Sequence, residues 1–250
     1  MNITRREALA SAAILGSAAV LAAGRLVNAK EGTSPEPSSG LRVAIGKHEI
    51  LPLPFDPTKL KGLSEKLLVS HHDNNYAGAL KNLNKVEEEL AKLGKDTPGF
   101  LVAGLRDREL LFTNSVILHE LYFGNLGGDG RAAGSIQQAI GTTFGSAARF
   151  EELFRATGMS LAGGSGWAVL DLDFHTGDLH IYGSGNHTQA LAFGAPLLVM
   201  DMYEHAYHMD YGAAAGSYVD AFFGNIQWAE VDHRYTRALD ASRSLRGARK

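Results

Sequence analysis

Asp201 and His205 stand four positions apart in Asp201-Met202-Tyr203-Glu204-His205. On a helix that spacing sets an oxygen and a nitrogen donor on one face, and a strand that ends at Asp201 and turns at once brings them together as well. His71 and His119 each fall among apolar positions of a helical pattern, which makes them the best additional donors by composition. Alone the Asp201–His205 spacing is a weak signal, and any metal bound by this chain must use nitrogen and oxygen ligands. For each histidine taken alone, the competing reading is a hydrogen-bonded core residue. His208, one turn after His205, is the strongest rival ligand. His48, His72, His175, His180 and His233 lack a comparable spacing and read as surface or structural residues. The chain has no cysteine. Disulfides, thiolate catalysis, cysteine-bound zinc and cysteine-ligated iron–sulfur clusters are therefore excluded.

Two long helices must position the first two histidines. Ser64 is placed to cap a helix whose imperfect apolar stripe runs through Leu67, Leu68, His71, Asn75, Leu80, Leu83, Val86 and Leu90. A second helix is expected over Arg106 to Leu126, with Leu110, Leu111, Val116, Leu118, His119, Leu121, Tyr122 and Phe123 on its inner surfaces, stopped by Gly127-Gly128-Asp129-Gly130. The pair reads as an antiparallel hairpin over residues 51–130. Residues 131–250 read as a C-terminal α/β domain. Shorter helices are expected at Ala133 to Ile140 and Ser146 to Thr157, strands at Trp167 to Asp173 and Leu179 to Gly183, and a third strand at Pro196 to Met200 that delivers Asp201. The fold class is α+β, a helical hairpin followed by a part with a small three-stranded antiparallel sheet.

The first 29 residues have a basic head with Arg5-Arg6, an apolar stretch from Ala8 to Gly24 and the small-residue end Val27-Asn28-Ala29. This is the pattern of a cleavable export signal of the twin-arginine type, and it points to the periplasm. The apolar stretch falls short of the ~20 residues a spanning helix needs, so no stable membrane insertion is expected after processing. Residues 30–50, rich in Pro, Ser, Glu and Gly at their start, read as a flexible tether. With 250 residues, 45% hydrophobic, 20% charged and a formal net charge of −3, the chain suits a folded protein with a sizeable core and offers no broad basic face for nucleic acid.

Several ordered motifs resemble the iron/manganese superoxide dismutase family over about Leu51 to Tyr235. They are Leu51-Pro52-Leu53-Pro54, Leu63-Ser64-Glu65 leading to His71-His72, Asn82-Leu83-Asn84, His119 before Tyr122-Phe123, Phe144-Gly145-Ser146, Gly164-Ser165-Gly166-Trp167, Asp201 to Tyr207 and Asn225-Ile226-Gln227-Trp228. The resemblance implies that His71, His119, Asp201 and His205 bind one iron or manganese ion per subunit, with solvent as a fifth ligand. It implies superoxide as substrate, a net positive site that attracts it, and oxygen and hydrogen peroxide as products. His187 matches a position beside the bound solvent, and Tyr207 is a catalytic candidate with it; Tyr76, three residues before Ala79, reads either as a catalytic candidate reaching from the same helix face or as a core aromatic. Glu204 matches the residue that reaches His205 of a second copy, which implies a homodimer. The family's gateway tyrosine falls on Ala79 and its nearby histidine on Asn75. Tyr203 and Phe123 stand where tryptophans are usual. These departures weaken the expectation of ordinary proton delivery. They leave open an exported metal-binding or altered redox protein that kept the fold, or a structural dimer without a catalytic metal. The choice between iron and manganese stays open at the level of sequence.

Overall fold

Ser64 opens the first helix as its sequence position suggests. In the computed structural model, which describes residues 45–247, its Oγ accepts the Leu67 N–H at 3.0 Å and donates to Asp210 Oδ1 at 2.7 Å. Helix α1 spans Glu65–Ser70 and buries Leu67 and Leu68. It runs into a π-helical segment, His71–Tyr76, and then into α2, Ala77–Leu90. Bonding from i to i+5 in the wider turn brings residues five apart toward one side, so His71 and Tyr76 are both buried. The imperfection of the apolar stripe here is this change of helical period.

Helix α3 spans Gly99–Gly124 and packs along α2 as the second arm of the hairpin. It starts seven residues earlier than the apolar pattern suggests, just after Pro98. The early turns carry Phe100 and Leu101 on the surface, and Leu110, expected on the inner side, is also exposed. An exposed apolar turn has no stripe to betray it. Burial begins at Ser115 and Val116 and includes His119, Tyr122 and Phe123.

Helices α4, Ser135–Phe144, and α5, Ala147–Met159, follow. Asp232 receives the Ser135 Oγ and the Ile136 N–H at 2.8 Å each, which supplies the α4 cap from a distant helix. Ser146 caps α5 by accepting the Arg149 N–H. The sheet has three antiparallel strands, β1 at Trp167–Asp173, β2 at Leu179–Ser184 and β3 at Gly194–Asp201, in the order β2-β1-β3. Trp167 lies opposite Ser184 on one side and Asp201 on the other. Short helices α6, His208–Tyr211, and α7, Ala215–Gly224, lead to the terminal α8, Trp228–Gly247.

One apolar core runs from Leu67 and Leu80 of the hairpin through Trp167 and Val199 of the sheet to Phe222 and Val231. Buried Asn125, just past α3, locks the hairpin to the sheet. Its Oδ1 accepts the Val199 N–H at 2.9 Å, its Nδ2 donates to the Tyr122 carbonyl, and its own carbonyl takes the Gln227 N–H. The expected export signal at 1–29 and the tether up to residue 44 lie outside the described residues. The last part of that tether is not loose, because Gly46 N donates to Glu87 at 2.7 Å and His48 exchanges two hydrogen bonds with Asn84. Among the described residues, no helix is long and apolar enough to cross a membrane.

Candidate metal centre

Four elements deliver one donor each to a single point. His71 opens the π-helical segment, His119 lies near the end of α3, Asp201 closes β3, and His205 sits in a 3-10 turn at Glu204–Ala206. One ligand atom from each lies within 4.8 Å of all the others. Asp201 is the hub. Its Oδ2 is 3.1 Å from His71 Nε2, 3.2 Å from His205 Nε2 and 3.7 Å from His119 Nε2. Its Oδ1 accepts the Tyr203 N–H at 2.8 Å, and its carbonyl accepts the Tyr218 hydroxyl at 2.6 Å. The Tyr203 N–H thus orients the carboxylate and Tyr218 fixes the backbone behind it, while the other carboxylate oxygen faces the histidines.

The donor atoms are short of partners. His71 Nε2 and His119 Nε2 are buried and make no aligned hydrogen bond, even though His71 stands 3.1 Å from the carboxylate. Orphaned buried imidazole nitrogens converging on a carboxylate fit a metal ion better than they fit a polar core. The ring tautomer of His119 is set by Nδ1–H donating to the Ser115 carbonyl at 2.6 Å, which turns the Nε2 lone pair to the centre. Burial, with help from neighbouring His71, pushes the His119 imidazole down to about 3, and burial also lowers His71. Both rings are neutral at physiological pH and able to ligate. Burial alone would raise the Asp201 carboxyl, but His205 first and His71 next outweigh it and hold it well below the usual range. His205 is raised because the same carboxylate outweighs its burial.

Aromatic rings close the site. Trp167 meets His119 edge-on at 5.1 Å, and Tyr203 stacks on His205 at 5.3 Å and on His187 at 4.8 Å. The loop histidine expected beside the centre is there, with its ring centroid 6.3 Å from that of His119. Trp167 Nε1–H donates to His187 Nδ1 at 3.0 Å, and Asn114 holds the His187 carbonyl at 2.7 Å. Burial lowers the His187 imidazole, and because Nδ1 accepts the indole N–H the ring's proton sits on Nε2.

Two of the catalytic candidates make hydrogen bonds within the fold. Tyr207 is buried against Tyr218 and its hydroxyl accepts the Gly163 N–H at 3.3 Å. The Tyr76 hydroxyl accepts the Leu51 N–H at 3.0 Å and donates to Glu120 at 2.9 Å; it is already committed as a donor. His208 is exposed and stands outside the donor cluster. Glu204 is exposed and makes no ion pair among the described residues. Ser115, Tyr218 and Glu120 were not signalled by the sequence pattern. Ser115 alone had a readable clue, because it precedes His119 by one helical turn.

The model for the C-terminal domain of iron/manganese superoxide dismutases matches residues 132–234. A superoxide dismutase (Fe) of Cupriavidus metallidurans is 48% identical over 193 residues, which covers 77% of this chain and 98% of that protein. A superoxide dismutase (Mn) of Halobacterium salinarum is 32% identical over 201 residues, covering 78% of this chain and 98% of the relative. A superoxide dismutase (Fe) of Aquifex pyrophilus is 32% identical over 214 residues, covering 81% and 98%.

Proposed function

The chain belongs to the iron/manganese superoxide dismutase family, and we propose that His71, His119, Asp201 and His205 hold the one iron or manganese ion with which it dismutes superoxide. The observation that carries the assignment is the convergence of four donors within 4.8 Å, with the His71 and His119 Nε2 atoms buried and unpartnered. When bound, the ion supplies a one-electron couple that oxidises one superoxide to oxygen and reduces a second, with proton uptake, to hydrogen peroxide.

The chain's own residues prepare the site for this chemistry. Three neutral imidazoles and one carboxylate leave a bound divalent or trivalent ion with net positive charge, which draws a small anion inward. Trp167, Tyr203 and buried Phe123 wall the centre with rings and restrict water. His187, with its proton on Nε2, is the group placed to donate a hydrogen bond into the site, and Trp167 fixes that tautomer. Asn75 and Ala79 put neither a phenol nor an imidazole on the helix face that follows His71. Proton delivery therefore rests on His187 and solvent.

Two further features belong to the same proposal. The leader at 1–29 exports the protein by a twin-arginine route to the periplasm, as its Arg5-Arg6 pair and short apolar stretch suggest. The enzyme is a homodimer in which Glu204 reaches His205 of a second copy. In support, Glu204 is exposed and the His205 Nδ1 has no partner among the described residues.

The direct test of the ligand set is Asp201→Ala beside His71→Ala. Each is expected to lose bound metal and to lower dismutation by roughly a hundredfold or more. Full metal content with wild-type dismutation in either variant would remove that residue from the set.

A further inference from the structure

A hydrogen-bonded knot joins the two helical segments that carry His71 and His119. Tyr76 closes the π-helical segment that His71 opens, and Glu120 directly follows His119 on α3. The buried Tyr76 hydroxyl donates to Glu120 Oε1 at 2.9 Å and accepts the Leu51 N–H at 3.0 Å. The Leu51 carbonyl in turn accepts His72 Nε2–H at 2.8 Å. One extended residue is therefore gripped through both of its peptide groups by the π-helical segment, and the same tyrosine reaches across to α3. The Tyr76 ring also faces His119 at 6.4 Å and Phe123 at 6.3 Å.

Packing alone does not place Glu120. A cavity of about 210 Å³ beside it, lined by Leu51, Pro52, Tyr76, Phe123 and Arg234, leaves the side chain room to swing. A phenol donating to a carboxylate is among the stronger protein hydrogen bonds, and the half-buried setting keeps water from replacing it cheaply. Metal affinity depends on donors held at their working separation before the ion arrives.

We propose that the Tyr76–Glu120 hydrogen bond is a positioning clamp for the metal centre, holding the segment of His71 against the segment of His119 so that their Nε2 atoms keep ligand separation and the ion is released slowly. The proposal rests on His71 and His119 being metal ligands. Neither Tyr76 nor Glu120 needs to touch substrate.

The test uses the full-length, iron-loaded protein and follows release of iron to an excess of an external chelator. Wild type is compared with Tyr76→Phe, Glu120→Ala and Glu120→Gln, and with Val219→Ala, a core cavity on α7 as control for general loosening. Tyr76→Phe and Glu120→Ala are expected to release iron about tenfold faster. Glu120→Gln should stay near the wild-type rate, because its amide oxygen still accepts the phenol proton, and the iron absorption spectrum should follow the same grouping. Release at the wild-type rate from Tyr76→Phe overturns the clamp. So does a Glu120→Gln protein as leaky as Glu120→Ala, or a Val219→Ala protein as leaky as Tyr76→Phe. If Tyr76→Phe does not fold, the Glu120→Ala and Glu120→Gln pair decides alone. Wild-type protein that takes up neither iron nor manganese overturns the ligand assignment and the clamp with it, whereas a loaded wild type matched by Tyr76→Phe overturns the clamp alone.

Discussion

Single side chains set the protonation of this molecule by where they are buried. His119 is held neutral because its ring is dry, and its Nδ1–H donates to the Ser115 carbonyl. Asp201 is held ionised because the histidines around it outweigh the same dryness. Asp171 on β1 has no such company. It is 1% exposed, its Oδ1 has no hydrogen-bond partner, and a side chain in place of Gly194 would collide with that oxygen. Burial pushes the Asp171 carboxyl up to about 7; the Ala195 N–H offsets part of this, and the charge of Asp173 adds to it. A raised carboxyl is favoured protonated by the fold. Its contribution is fully present below the ordinary value near 4, is lost as the pH rises toward 7, and changes little above that. Asp171→Asn removes the titration, so unfolding midpoints in urea measured from pH 4 to pH 8 should fall less steeply than in wild type. Parallel curves for the two proteins would show that Asp171 ionises freely in the fold.

Elements bring these side chains together, and the joints between them matter more than their lengths. Asn125 is the joint between α3 and β3, hence between His119 and Asp201. Asn125→Ala leaves the buried Val199 N–H without an acceptor and is expected to cost about 2 kcal/mol in chemical denaturation. A loss within experimental error would show that the strand is held by packing alone. Much of this level was legible in the sequence. Ser64 and Ser146 mark helix starts because a short hydroxyl satisfies an open N–H locally, and β1 is legible from the apolar run Trp167 to Leu170 that continues past Asp171 to Leu172. The four clustered donors were legible too, since two fall on one turn and two sit among core positions. What stayed hidden depends on contacts far apart in the chain. Asp232 caps α4 from α8, Tyr218 holds the Asp201 carbonyl, and Tyr76 finds Glu120 across the hairpin. The early start of α3 was hidden for the opposite reason, because its first turns face outward and carry no burial pattern. The π-helical segment shows only as a flaw in the stripe, which spacing rules for an α-helix cannot interpret.

At the scale of the whole molecule, the centre is complete within one chain but not fully enclosed by it. The His205 side chain keeps 26% of its surface, and exposed Glu204 sits beside it. Glu204→Ala should weaken dimerisation about tenfold or more in sedimentation equilibrium, because a carboxylate–imidazole bond is lost twice in a two-fold interface. An unchanged association constant would take Glu204 out of the bridge. The absence of cysteine means that passage into an oxidising compartment requires no pairing of thiols. The measurement that bears most directly on the account is metal content per chain together with superoxide dismutation, made on separately reconstituted iron and manganese forms. About one ion per chain and rapid dismutation in at least one of the two forms are expected. Full occupancy without dismutation in either form would contradict the account, and would make Asn75 and Ala79 the mark of a different redox function.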